Sequence, residues 1–255
     1  IATVQTFLPA DAQQFINWFR NVSPYIHAHR GRTFVICFSG EAVQSSNFPD
    51  LIHDIALLNS LGVRLVLVHG IRPQIEQHLQ ARGLPSHYVQ GLRVTEAAVL
   101  SCVKAAWGEV RSETESLLSR GLTNYPSSEV KIGTASGNFI TAQPVGIRNG
   151  VDYGYTGEVR RIDTDAITRR LNEGCIVLIG PIGYSPTGEA FNLLTEEVAT
   201  EVAIALRAHK WICLTERGGI FDRTGQLVRE LTLVEAQRRL TEEQEANYSE
   251  PGRQL

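Results

Sequence analysis

Short runs of apolar, β-favouring residues, each closed by a glycine-containing turn and followed by a stretch of helical periodicity, recur along this chain. Thr33-Phe34-Val35-Ile36-Cys37-Phe38 ends in Ser39-Gly40; Val63-Arg64-Leu65-Val66-Leu67-Val68 ends in His69-Gly70; Cys175-Ile176-Val177-Leu178-Ile179 ends in Gly180-Pro181; Trp211-Ile212-Cys213-Leu214 ends in Thr215-Glu216-Arg217-Gly218-Gly219. Strands with apolar residues on both sides of the pleat must be covered on both faces. Helical segments alternate with them: from Asp11, from Pro49-Asp50, after Pro73, from Glu96 to Ser119 behind Thr95, after Asp163, and from Thr195 to about Ala208. This order predicts a mainly parallel sheet between two helical layers, a three-layer αβα sandwich. It spans residues 1–255 as a single domain with no internal repeat.

One region breaks the order. Phe139-Ile140-Thr141-Ala142 and Val145-Gly146-Ile147 lead to Asn149-Gly150, a dipeptide suited to a tight hairpin turn. Residues 130–161 therefore read as an antiparallel hairpin excursion from the main sheet. Near the end, Thr232-Leu233-Val234-Glu235 has capping-box spacing and predicts one more helix.

Composition removes several classes of function. The formal charge is -3, so no basic surplus exists to hold nucleic acid or an anionic membrane. No apolar run reaches the roughly 20 residues of a membrane span. The four cysteines, Cys37, Cys102, Cys175 and Cys213, form no C-x-x-C pair and read as free thiols packed like small hydrophobes in a reducing compartment. The seven histidines show no metal-ligand spacing. The first residues have no signal-peptide pattern, and the chain starts without Met, so it reads as a fragment of a longer protein.

In a sheet of this kind ligands bind beyond the carboxyl ends of the strands. Ser39-Gly40-Glu41, His69-Gly70-Ile71-Arg72, Gly180-Pro181-Ile182-Gly183 and the turn after Leu214 all fall there. Each is either an anion cradle of backbone amides or a bare chain reversal. Arg93, in Gly91-Leu92-Arg93-Val94-Thr95, either clamps a carboxylate or pairs with a neighbouring acid. Arg160-Arg161-Ile162-Asp163 is either a phosphate contact or a solvated hairpin end.

Taken in order, Thr33-Phe34-Val35-Ile36, Leu65-Val66-Leu67-Val68-His69-Gly70, Pro73-Gln74-Ile75, Gly91-Leu92-Arg93-Val94-Thr95 and Ser136-Gly137-Asn138-Phe139 resemble the amino-acid kinase superfamily, most of all its acetylglutamate branch. Ser23-Pro24-Tyr25-Ile26, Gly150-Val151-Asp152-Tyr153, Thr156-Gly157-Glu158-Val159-Arg160-Arg161-Ile162-Asp163, and Gly183-Tyr184-Ser185-Pro186-Thr187-Gly188-Glu189 with Phe191-Asn192-Leu193 resemble the bacterial-type N-acetylglutamate synthases. The match runs from about Phe15 to about Gln244.

The resemblance implies the amino-acid kinase fold, and it also shows where this chain departs from a working kinase. The kinases' phosphoryl-stabilising lysine falls in register with Cys37. Their second glycine-rich turn has become His69-Gly70-Ile71-Arg72, and an organising aspartate has become Glu196. Phosphoryl transfer rests on positioned cations and donors, and losing one such group costs several kcal/mol of transition-state stabilisation. No kinase activity is expected.

Gly40, Gly70, Arg93 and Asn192 match the positions at which the kinase branch holds its amino acid, so they form a vestigial amino-acid or anion pocket. In the synthases the kinase-fold domain binds L-arginine as allosteric effector. Tyr25, Lys210, Glu216 and Gly219 are the candidates for that site, between the N-terminal helix and the carboxyl side of the sheet, and much of the family's arginine-contacting loop falls beyond Leu255.

L-glutamate and acetyl-CoA are, by the same resemblance, substrates of an acyltransferase domain expected downstream. This domain itself is expected to bind no cofactor and no metal and to carry no catalytic residue. A homo-oligomer is implied, with Phe15, Trp18 and Phe19 on the first helix serving either as an intersubunit contact or as packing on its own domain. The resemblance fits the cytoplasm, or a plastid for a trimmed eukaryotic chain. Two other readings stay open: a working acetylglutamate-kinase-like enzyme, or a catalytically silent kinase-fold binding module.

Overall fold

A computed structural model of the chain describes residues 9–122, 131–215, 218–222 and 224–249. In chain order the elements are α1 (Pro9–His29), β1 (Thr33–Phe38), α2 (Gly40–Gln44), α3 (Phe48–Ser60), β2 (Arg64–His69), α4 (Arg72–Ala81), β3 (Tyr88–Val89), β4 (Leu92–Arg93) and α5 (Ala97–Ser119). There follow β5 (Thr134–Ala135), β6 (Ile140–Pro144), β7 (Ile147–Arg148), β8 (Val151–Asp152), β9 (Gly157–Ile162), α6 (Thr164–Asn172), β10 (Ile176–Ile179), β11 (Ile182–Tyr184), β12 (Ala190–Asn192), α7 (Thr195–Ala205), β13 (Lys210–Leu214) and α8 (Leu233–Ser249). Contacts divide the chain into two compact units, Ile1–Leu214 and Thr215–Leu255.

The first unit is built on a five-stranded sheet in the order β13-β1-β2-β10-β5, with every pairing parallel. Its strand residues alternate between two separate cores, as a strand's twofold side-chain period requires. Phe34, Ile36, Phe38, Leu65, Leu67, Ile176 and Leu178 pack with α2, α3, α4 and α5. Val35, Cys37, Val66, Val68, Val177 and Ile179 pack against α6, α7 and the second sheet. Both faces are dry, so the expected three-layer αβα sandwich with a mainly parallel sheet is what forms. Each fully buried Val, Leu or Ile contributes about 1.5–3 kcal/mol relative to exposure.

The second sheet, β12-β11-β6-β9, holds the antiparallel excursion. β6 and β9 pair antiparallel, and β7 and β8 form the hairpin that Asn149-Gly150 predicts, with φ of 51° and 79° at those two residues. Within the same stretch, β5 instead joins the main sheet parallel to β10 through only two partner pairs. Helix α7 stops at Ala205, short of the expected Ala208, because Arg207 takes a φ of 48° and turns the chain into β13. Helix α6 starts where expected, its Ala166 amide donating to the Asp163 carboxylate at 3.0 Å.

In the second unit, the capping box opens α8 as its spacing predicts: the Thr232 amide donates to Glu235 Oε2 at 2.8 Å, and the Glu235 amide donates to Thr232 Oγ1 at 3.3 Å. Among the described residues no helix is long and apolar enough to cross a membrane.

Candidate functional site

The turns after β1 and β2 leave the carboxyl edge of the sheet side by side. The Gly70 amide donates to the Phe38 carbonyl at 2.8 Å. A Cβ on Gly70 would lie 2.9 Å from the Gly40 amide nitrogen, and one on Gly40 would lie 2.5 Å from Gln74 Oε1 and 2.6 Å from Pro73 Cδ. Both glycines are therefore demanded by the packing of turn on turn and turn on helix, before any ligand is considered. Gln74 fastens the arrangement by donating from Nε2 to the Gly40 carbonyl at 2.8 Å, while its own Oε1 is buried without a partner. A cavity of about 560 Å³ opens beside this turn, with Gln74, Glu109 and Glu113 on its wall; Arg93 and Asn192 do not line it.

Ile71 and Arg72, which follow Gly70, go different ways. Ile71 is buried in the core beneath α4. Arg72 begins α4 and lays its guanidinium against the Tyr88 ring, 5.6 Å from the centroid. The same ring meets Arg93 at 4.5 Å.

Arg93 is buried, and its fork is occupied. One terminal nitrogen donates to Ser86 Oγ at 2.9 Å; the other donates to Glu76 Oε1 at 2.6 Å and to the Tyr88 hydroxyl. Burial pushes the Glu76 carboxyl up, but hydrogen bonds from Arg93, Ser86 and Tyr88 outweigh it and hold the group below the usual carboxylate range. Of the two readings of Arg93, the pairing with a neighbouring acid is the one present. A ligand carboxylate entering here must displace Glu76.

Asn192 reaches the same region through a buried hydroxyl chain. Its Nδ2 donates to Thr95 Oγ1 at 3.1 Å, Thr95 Oγ1 lies 2.9 Å from Thr156 Oγ1, and Thr156 donates to the Arg93 carbonyl. Thr95 is thus no helix cap. α5 begins at Ala97 with Glu96 at its N-cap, because the Thr95 hydroxyl is drawn inward to Thr156 and Asn192. Gly40 and Gly70 are brought together directly, and Arg93 and Asn192 through two threonines.

At the other side of this edge Cys37 on β1 meets Cys213, its register partner on β13, with the charge of Glu196 from the first turn of α7 acting on both. Burial, then the charges of Cys213 and Glu196 and a hydrogen bond to Cys213, push the Cys37 thiol up to about 12. A protonated thiol and a carboxylate thus stand together at this corner of the edge. Cys213 corrects the expectation for the cysteines, since it is exposed while Cys37 and Cys102 are buried. It lies on the edge strand, which one neighbouring strand alone covers.

The effector candidates are spread out. Tyr25 is exposed on α1. Lys210 opens β13 opposite Phe34, with its ammonium 5.7 Å from that ring, and so stands at the amino edge of the sheet, not on the carboxyl side where the effector site was expected. His29, on the last turn of α1, packs edge-on against the same ring at 5.3 Å. Gly219 belongs to the second unit, where a Cβ would strike Leu227 at 2.5 Å; Glu216 falls outside the described residues. Phe15, Trp18 and Phe19 are all more than half exposed on α1, with the Phe15 ring beside each of the other two. Arg160 and Arg161 are exposed on β9, the solvated alternative. Among the described residues no group of three or more His, Cys, Asp or Glu could hold a metal ion.

His69 was missed as more than part of a turn. It is fully buried, Nδ1 donates to the Gly70 carbonyl at 3.4 Å, and Nε2 has no partner. Burial lowers its pKa to about 4. Missed too were Glu76 and Tyr88, the partners of Arg93, and Cys213, the partner of Cys37. Only the strand pairing brings Cys213 to its place, 176 residues along the chain from Cys37.

A parallel sheet between helical layers, a glycine-turn pair at its carboxyl edge and an antiparallel excursion define the amino acid kinase fold. The chain belongs to the amino acid kinase family, which it matches over residues 32–249. Within it the chain is 52% identical over 218 residues to an amino-acid acetyltransferase of Pseudomonas fluorescens, covering 86% of this chain and 50% of that protein. An amino-acid acetyltransferase of Ralstonia nicotianae is 50% identical over 232 residues, covering 91% and 51%. Among solved structures, N-acetylglutamate synthase from Neisseria gonorrhoeae complexed with coenzyme A and L-arginine superposes with a TM-score of 0.82 at 38% identity, covering 88% of this chain and 53% of that one. The chain spans about half the length of these relatives. Carbamate kinase from Giardia lamblia, at a TM-score of 0.58 and 14% identity, shares the fold alone.

Proposed function

We propose that this chain is the regulatory, arginine-sensing kinase-fold domain of an N-acetylglutamate synthase, the enzyme that transfers the acetyl group of acetyl-CoA to L-glutamate in arginine biosynthesis, and that it transfers no phosphoryl group. The observation that carries the second half is the thiol at Cys37, the position in register with the kinase lysine. A thiol raised to about 12 and the Glu196 carboxylate repel or ignore a developing phosphoryl charge that a lysine would hold. The first half is supported by the acetyltransferase relatives and by a superposing synthase that was solved with L-arginine.

The effector reading uses Tyr25 and Lys210 of the first unit. The vestigial pocket reading uses Gly40, Gly70, Arg93 and Asn192. Glutamate and acetyl-CoA are ligands of the acyltransferase part expected beyond this chain. Homo-oligomers and a cytoplasmic setting belong to the same proposal.

Calorimetric titration of L-arginine into a chain extended through the acyltransferase part tests it directly. Binding weakened by Tyr25→Phe and by Lys210→Ala is the expected result; no heat of binding would defeat the reading. A coupled assay with ATP and N-acetylglutamate should show no turnover above the protein-free blank.

A further inference from the structure

The two thiols at the corner of the carboxyl edge do more than replace a lysine. Cys37 and Cys213 are direct register partners on adjacent parallel strands, so both side chains project from the same face of the sheet. Neighbouring strands lie about 4.8 Å apart, inside the roughly 4.4–6.8 Å between Cα atoms that a disulfide spans. One thiol of the pair is exposed and the other is buried behind it. That is the arrangement of an attacking and a resolving cysteine. The remaining cysteines have no such partner: Cys102 is buried in α5, and Cys175 precedes β10 with its sulfur facing Gly133.

We propose that Cys37 and Cys213 form a reversible oxidative-modification site, closed to an intrachain disulfide by oxidants of the hydroperoxide class. The Cys213 thiolate attacks a peroxide oxygen; its S–O bond forms as the O–O bond breaks, and an alcohol, or water from hydrogen peroxide, leaves after taking a proton. The Cys37 sulfur then attacks Cys213, its proton passing to the departing oxygen. The S–S bond forms, the S–O bond breaks, and water is released. The two thiols lose two electrons and two protons, and the peroxide is reduced.

The electrostatics assign the same roles. The Cys37 thiol is held protonated and donates to Cys213, so the exposed sulfur is the one that ionises first; burial raises Cys213 too, with the Cys37 hydrogen bond working against that. Attack runs through the ionised fraction of Cys213, the accessible sulfur of the pair. Closure would fasten the edge strand β13 covalently to β1, immediately before the chain passes into the second unit at Thr215.

The test treats the 255-residue chain with hydrogen peroxide, blocks remaining thiols after unfolding, and maps the peptides by mass spectrometry. The expected result is one crosslinked peptide pair joining Cys37 to Cys213, lost on addition of dithiothreitol, with Cys102 and Cys175 still alkylated. In Cys213→Ser, an exposed substitution that leaves the core intact, the crosslink disappears and Cys37 is alkylated in full. Phenylarsine oxide, which bridges paired thiols without oxidation, should bind the native chain at one equivalent and the variant not at all. Sulfinic acid at Cys213 with Cys37 untouched, an intermolecular disulfide in place of the internal one, or arsenical binding that survives Cys213→Ser would overturn the proposal.

Discussion

The two halves of the carboxyl edge are built by different rules. In the amino-acid half, Gly40 and Gly70 are fixed by backbone packed on backbone, and Asn192 and Arg93 are tied by buried hydroxyls and an ion pair. In the half around Cys37, that side chain is fixed by burial between β1 and α7, and Cys213 and Glu196 act on it through a hydrogen bond and charge. A residue that holds both ligand and fold stays in place whether or not the ligand is still bound. Gly40, Gly70 and Asn192 therefore speak for the fold before they speak for binding.

That contrast is broken most sharply at Gly70. Alanine there drives a methyl group against the Gly40 amide and the Ser39 backbone, neither of which can swing aside. The expected cost is about 3 kcal/mol in urea unfolding, at the upper end for overpacking. Gly108→Ala, on α5 with open space around it, should be neutral or stabilise by about 0.5–1 kcal/mol. Equal responses at the two positions would show that the turn packing is softer than its distances state.

Acid sharpens the picture next. His69 has a folded pKa of about 4 against an ordinary value of 6.5, so below pH 6.5 the unfolded chain takes up the proton that the folded chain refuses. Its contribution is fully present above pH 6.5 and is lost as pH falls toward 4, reaching about 3 kcal/mol. Glu76 and Glu158, both held below the usual carboxylate range, add their losses only from about pH 4.5 downward. His69→Gln should therefore flatten the stability profile between pH 6.5 and 4.5 and leave the lower slope intact, as read from denaturation midpoints at each pH.

The strands, the helix starts at Asp163 and Thr232 and the Asn149-Gly150 hairpin were legible because each is dictated within a few residues. Both sheet faces were legible for the same reason, since an unbroken apolar run has only one environment that suits it. What could not be read joins distant segments. β5 enters the main sheet through two residue pairs, Thr95 trades a cap for a threonine 61 residues away, and Cys213 meets a thiol 176 residues back. Arg93 illustrates the limit from the other side. Both readings of it were open in the sequence, and only Glu76, one helix earlier, selects between them.

Glu76→Gln tests whether the amino-acid half still recognises a carboxylate once that competitor is neutral. Glu76 is partly exposed, so the ion pair it gives up is screened and its worth is modest. N-acetylglutamate should then bind about three- to tenfold tighter by titration calorimetry, a gain of about 1 kcal/mol. No gain would mean that Arg93 serves the fold alone.

The smallest expected effect is the most pointed. Cys37→Lys places a cation at this buried corner, where Glu196 can pair with it. The turn at His69-Gly70 still carries Ile71, whose side chain is built into the core, and Arg72, which leans on Tyr88. With those side chains in the turn, the backbone amides stay closed to a phosphate. ATP turnover with N-acetylglutamate in a coupled assay should remain at the blank. Measurable turnover would mean that one side chain, and not the shape of two turns, separates this corner from a kinase site.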